Sequence, residues 1–201
     1  MHKFLKLILQ KKAMKKIRIT ALLLTLTFCT MTNLKAQQKS KPHFEIEVDP
    51  IAYIFNGYSV HIGYQINKLR FDAGFFGIDQ PDFVTRNEIF KDRSQGFGIK
   101  ADYFFKPRKG FFAGIQADYS TDKIIKKDTK TSVISKGVVA GLRGGYRFTF
   151  TGVEKDRTGF YFSPWLAVLY TPNAKDIKIE GETFKRPKIS LFPTVHFGYS
   201  F

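Results

Sequence analysis

Residues Lys188 to Phe201 read KISLFPTVHFGYSF. Side chains along an extended strand point alternately to opposite faces. Ile189, Leu191, Pro193, Val195, Phe197, Tyr199 and Phe201 therefore share one face, and Ser190, Phe192, Thr194, His196, Gly198 and Ser200 share the other. This period-two pattern predicts a β-strand with one apolar and one polar or small face. The stretch ends on an aromatic side chain, which is costly to leave in water. The apolar face is thus expected to meet something other than solvent.

Seven further segments upstream repeat the pattern. The first, 43–54, sets Phe44, Ile46 and Val48 against Glu45, Glu47 and Asp49; Asn56-Gly57 after it signals a two-residue hairpin. Residues 58–66 place Tyr58, Val60, Ile62, Tyr64 and Ile66 opposite Ser59, His61, Gly63 and Gln65, with a turn at Asn67-Lys68. Segments 69–77, 95–105, 111–120, 135–149 and 159–170 alternate likewise, with Pro107-Arg108-Lys109-Gly110 as a tight turn. The connections 67–68, 106–110 and 150–158 are short, whereas 78–94, 121–134 and 171–187 are long and polar, the last with a small hairpin expected at Glu180-Gly181. Pro50, Pro164 and Pro193 interrupt the pattern; a proline cannot donate to a ladder, so a bulge or strand end is expected at each.

The amino terminus belongs to export. Residues 1–18 carry seven Lys/Arg and no acid, an apolar run follows from Ile19 to Cys29, and Leu34-Lys35-Ala36-Gln37 offers a small residue for cleavage after Ala36. These are the parts of a secretory signal peptide over 1–36. Met14-Lys15-Lys16 is itself an ordinary signal start, which makes 1–13 a candidate over-extended start. Cys29 is the one cysteine, and Phe28 before it is too bulky for a lipidation site. The expected mature chain then has no thiol chemistry and no disulfide.

The formal charge of +16 overstates the mature protein. Eight basic residues and no acid lie in the expected leader, which leaves +8. The remaining bases are scattered along an exported chain, which excludes nucleic acid as a partner and suits anionic lipid. No apolar run in 37–201 approaches the length of a spanning helix. A chain without one crosses a membrane only as a closed barrel, in which every backbone group is paired.

Eight alternating strands over 43–201, after a polar leader at 37–42, with aromatics clustered toward strand ends and a last strand carrying Phe197, Tyr199 and Phe201, resemble the small outer-membrane β-barrels of the OmpA/OmpX type in Gram-negative bacteria. The resemblance implies an all-β, eight-stranded antiparallel up-and-down barrel. It further implies short turns toward the periplasm, long loops outside, and recognition of the terminal aromatics by the barrel-assembly machinery.

In such a barrel the polar face is the lumen, and eight strands leave room only for side chains. Glu45, Glu47, Arg70, Asp72, Lys100, Asp102, Arg143 and Arg147 are expected to pair there as an ionic core. His61 with Ser59 on one strand, and His196 with Ser190 on the last, share the lumen face as candidate nucleophile–base combinations, and counting from strand ends puts the two histidines at different depths. No spacing proposes a metal site or cofactor. Lys123, Lys126, Lys127 and Lys130 form a basic tip in the expected loop 121–134, suited to lipopolysaccharide phosphate or another envelope protein. The favoured reading is a non-enzymatic structural or interaction barrel. The alternatives are a lipid A-modifying enzyme, a subunit of an export or assembly complex, and a narrow pore.

Overall fold

The structure is a computed structural model that describes residues 42–150 and 159–201. The expected signal peptide and most of the connection 150–158 lie outside the described residues. The strands are β1 His43–Val48, β2 Tyr58–Ile66, β3 Leu69–Gln80, β4 Phe90–Lys106, β5 Lys109–Lys126, β6 Ser132–Thr149, β7 Gly159–Tyr170, the short pair β8 Ile177–Ile179 and β9 Glu182–Phe184, and β10 Ile189–Ser200. Helices α1 Pro50–Ile54 and α2 Asp82–Thr85 lie between β1 and β2 and between β3 and β4. Eight strands close in the order β1-β10-β7-β6-β5-β4-β3-β2, every neighbour antiparallel. Closure leaves the barrel without a free edge to satisfy.

The alternation fixes which face is which. Ile62, Phe75, Ile99, Ile115, Leu142, Val168 and Leu191 point outward, and Leu142 and Phe75 remain 69% and 67% exposed. Glu45, Glu47, Arg70, Asp72, Lys100, Asp102, Arg143 and Arg147 point inward and are buried. The sidedness is the reverse of a soluble barrel that encloses a greasy ligand.

Several strand boundaries differ from the sequence reading. β1 stops at Val48 because Pro50 cannot extend the ladder but suits the first turn of a helix. Asp49 caps that helix, accepting from the Ile51 amide at 2.8 Å and from the Thr194 hydroxyl at 2.5 Å. Asn56, at φ 52°, ends the helical segment and does not form a two-residue hairpin. On the neighbouring side β10 continues past the end of β1, so Pro193 lies where one flank of its strand has no ladder to interrupt. Pro164 faces a gap in the β6–β7 pairing between Gly145–Trp165 and Phe148–Phe162, and the register on either side of the gap is unchanged. No bulge forms at any of the three prolines; the register shift of the barrel is at Phe104/Lys106.

The long loops are shorter than expected because β3, β4, β5 and β6 run on beyond the apolar belt. The connection after β3 is 81–89 and that after β5 is 127–131. Lys123 and Lys126 accordingly sit on β5 and not in a loop. The expected hairpin at Glu180-Gly181 is present, with positive φ at both residues. It folds against the inner face of the overhanging strands, where Ile179 and Phe184 pack on Phe90 and Ile124.

Candidate functional site: an ion-paired lumen

Register brings the charges together. Arg70 pairs with Asp102 across β3–β4, and Asp72 with Lys100 one inward position higher. Glu45 and Glu47 enter from β1, Arg143 and Arg147 from β6. Arg70 is the hub: its guanidinium lies 2.6 Å from Glu45, 2.9 Å from Glu47, 2.9 Å from Asp72 and 3.4 Å from Asp102. Arg147 bridges Glu45 at 2.8 Å and Glu47 at 3.4 Å, and donates to the Gln65 side-chain oxygen at 3.0 Å. Lys100 reaches Asp72 at 2.7 Å. Four acids thus meet four bases, and the network is neutral as a whole. Neutrality matters here because an uncompensated charge in a water-poor interior is expensive.

Arg143 is the member held differently. It lies 3.3 Å from Asp102, yet its Nε and Nη1 have no aligned hydrogen bond. Its plane instead stacks 4.0 Å from the Trp165 ring and 5.4 Å from Phe112. Arg147 likewise covers Tyr161 at 4.0 Å and Phe104 at 4.6 Å. Delocalised guanidinium groups tolerate such faces, which lysine would not match. The lumen is therefore packed by arginine–aromatic layers as well as ion pairs. Phe104, Phe112 and Trp165 stand at polar-face positions in the sequence, and that misplacement was the available signal for them.

The two histidines are neighbours, contrary to the depth count. Their ring centroids are 5.0 Å apart, and Glu47 joins them: it pairs with His61 across β1–β2 and its carboxylate accepts from His196 Nδ1 at 2.8 Å. The count failed because it took the strands as equal. β1 ends early and lowers the rim beside β2, while β10 runs the full height.

His61 Nε2 lies 3.0 Å from Ser59 Oγ and its Nδ1 3.1 Å from Asp72. The spacing is that of a hydroxyl–imidazole–carboxylate relay. However, Lys100 Nζ sits 2.9 Å from the same Nδ1. When the ammonium donates there, the imidazole proton moves to Nε2 and points at Ser59, the tautomer that cannot accept the hydroxyl proton. Ser59 is 2% exposed. His196 and Ser190 form no such pair. The arrangement holds His61 as part of the core. Among the described residues, no three His, Cys, Asp or Glu side chains converge as a metal site.

At the mouth, Glu180 accepts from the Thr129 and Thr131 hydroxyls at 2.6 Å each and lies 3.4 Å from Lys126. The Thr129 hydrogen bond leads in holding its carboxyl below the usual range. Lys127 is committed to Asp82 at 2.6 Å. The four lysines read as one basic tip therefore divide between a strand, two ion pairs and Lys130 at a left-handed position.

No family profile and no curated protein matches this chain. Among solved structures it is similar to the N-terminal β-barrel domain of Pseudomonas aeruginosa OprF, at 13% identity and a TM-score of 0.46, over 82% of this chain and all of that one. It is also similar to Neisserial surface protein A, at 10% identity and a TM-score of 0.44, over 82% of this chain and 98% of that one. The eight-stranded architecture itself rests on the closed strand order of this chain.

Proposed function

We propose that this protein is an integral outer-membrane barrel with a structural or interaction role, its lumen closed by the ionic and aromatic core. The observation that carries the reading is the sidedness: an exposed apolar belt outside a buried charged interior. On β5 the outward apolar row runs from Phe111 to Tyr119, about 19 Å along the barrel axis at a rise of ~3.3 Å per residue and a tilt of ~45°. With side chains added, that approaches the ~25 Å apolar band of outer-membrane barrels. Tyr58, Phe97, Tyr119 and Tyr170 at the upper margin and Phe71, Phe105, Phe111, Phe148 and Phe160 at the lower suit the two interfacial girdles.

Just above the belt the outward row turns basic, with Lys91, Arg93, Lys123 and Lys136 on three adjacent strands. That collar sits at headgroup height and favours contact with lipopolysaccharide phosphates, a better candidate than the loop tip. Phe197, Tyr199 and Phe201 would serve recognition by the assembly machinery, and the outer loops would meet other envelope proteins. The experiment is refolding into planar bilayers and vesicles. Heat-modifiable gel migration with no stable conductance steps is expected; discrete large steps overturn the closed lumen. Lysine-to-glutamine changes at Lys123 and Lys136 should weaken lipopolysaccharide binding, and unchanged binding removes the collar. Labelling of Ser59 by a fluorophosphonate would overturn the non-enzymatic reading.

A further inference from the structure

Above the ion-paired core the lumen is not filled. A cavity of about 170 Å³ remains between β2, β3, β4, β5, β6, β7 and β10, beneath α1. Its walls differ. Val139, Leu169, Trp165 and Phe192 are apolar, and Gln116, Asp118, Ser94 and Ser120 are polar. His61, His196 and Lys100 lie at its floor, and Asp49 at the α1 side.

Among the acids that line this cavity, Asp118 stands apart. Lys100 is matched by Asp72, and Asp49 is met by the Ile51 amide and the Thr194 hydroxyl. Asp118 receives only the Gln116 amide, at 2.7 Å, and no ion pair of it is found among the described residues. Gly98 on the adjacent strand makes room for that carboxylate: a Cβ there would clash with Asp118 Oδ1. Beside it, Gln116 Oε1 is buried with no donor, and Trp165 Nε1 is buried with no acceptor; both residues are 6% exposed and line the cavity. Polar atoms this buried ordinarily have partners.

We propose that this cavity is a binding site for a small primary ammonium ion carrying a compact apolar body. The ammonium sits between Asp118 Oδ1 and Gln116 Oε1, which accept two of its three N–H donors. The apolar body lies against Val139, Leu169 and Phe192, with the Trp165 indole edge as the far wall. The size agrees, since a cavity of ~150 Å³ accommodates one benzene-sized group. An anion is disfavoured by the unpaired Asp118, and a long acyl chain by the volume.

Trp165 is the single tryptophan of the chain, so it reports from within the site. The test uses the barrel refolded in zwitterionic detergent and titrates benzylammonium, benzyl alcohol and benzoate while reading Trp165 emission. A saturable response to benzylammonium is expected, at least tenfold tighter than any response to the alcohol or benzoate. Asp118→Asn should weaken it tenfold or more; its amide can keep the bond to Gln116, and heat-modifiable migration checks the fold. Val139→Phe should abolish it by filling the apolar wall without touching the charge. The proposal is overturned by a linear response, by equal responses to the amine and the alcohol (partition or water filling alone), or by binding that survives either substitution.

Discussion

Arg70→Met removes the hub of the lumen while keeping much of its volume. Four carboxylates lie within 3.4 Å of the guanidinium. After substitution each keeps one base: Glu45 and Glu47 keep Arg147, Asp72 keeps Lys100, and Asp102 keeps Arg143. The lumen nonetheless passes from four acids and four bases to four and three, with the excess charge buried. Removing one partner of a buried pair costs about 3–5 kcal/mol. At about 1.4 kcal/mol per decade, the folding equilibrium should shift by roughly two to three and a half decades.

Urea unfolding of the barrel in lipid vesicles, followed through Trp165 emission, measures this. Two comparisons isolate the cause. Arg93→Met breaks a pair to Asp79 in which the arginine side chain is 54% exposed, and it should leave the midpoint unchanged. Arg70→Met with Glu45→Gln restores neutrality and should recover part of the loss. If Arg70→Met unfolds within about 1 kcal/mol of wild type, the lumen network is not the core argued above. The same follows if the neutralised double variant is no better than the single one.

Gly74→Ala should cost about 1–3 kcal/mol, because the new Cβ would land inside the His61 imidazole; His61→Ala in the same chain should relieve much of it, read as recovery of the urea midpoint. Asp92 lies above the belt on the inward row of β4, between Phe90 and Ser94, and burial pushes its carboxyl up to about 6. A raised carboxyl stabilises below its unfolded value near 3.8 and loses that contribution as pH rises through about 6. Amides around Phe90 should therefore exchange faster at pH 7.5 than at pH 5 beyond the intrinsic rate change, and Asp92→Asn should remove the difference; a difference that persists in the variant refutes the assignment. Glu180→Ala removes the acceptor shared by Thr129, Thr131 and Lys126 and should speed exchange in β8 and β9 while leaving the β1–β10 seam unchanged.

The barrel was legible because its information is local and repeated. Alternation at Leu69–Gly77 or Phe160–Tyr170 needs no knowledge of what lies across the strand. β2 and β7 were bounded to the residue, β2 with the turn signal at Asn67-Lys68 after it. Boundaries failed where partners decide them. Residues 90–94 and 121–126 look like polar loop, yet Phe90 and Ile124 are drawn into strand by the hairpin carrying Ile179 and Phe184, which lies far downstream of both. The inward set was legible in the same way, residue by residue. What it does was not, since depth depends on register: His61 and His196 meet because β1 sets Glu47 opposite both His61 and Gly198, one inward position from His196. Arg143 and Trp165 are both inward in the sequence, but nothing in it predicts that they stack.

The inward charges also give the physical reason for expecting no conductance from so polar a lumen. A pore needs charges that face water, each solvated and repelling its like. Here Arg70 with Asp102 and Asp72 with Lys100 meet across neighbouring strands, and Arg147 reaches from β6 to Glu45 and Glu47 on β1, so the charges of this network are matched by one another. The arginine–aromatic stacks fill the space that remains. A soluble fold builds its core from apolar side chains because water waits outside. When the outside is itself apolar, burying more of the same gains little, and pairing charges within becomes the distinguishing force. The lower lumen is thus a core turned inside out, and the unfilled volume above it lies beside Asp118, a carboxylate with no ion pair found among the described residues.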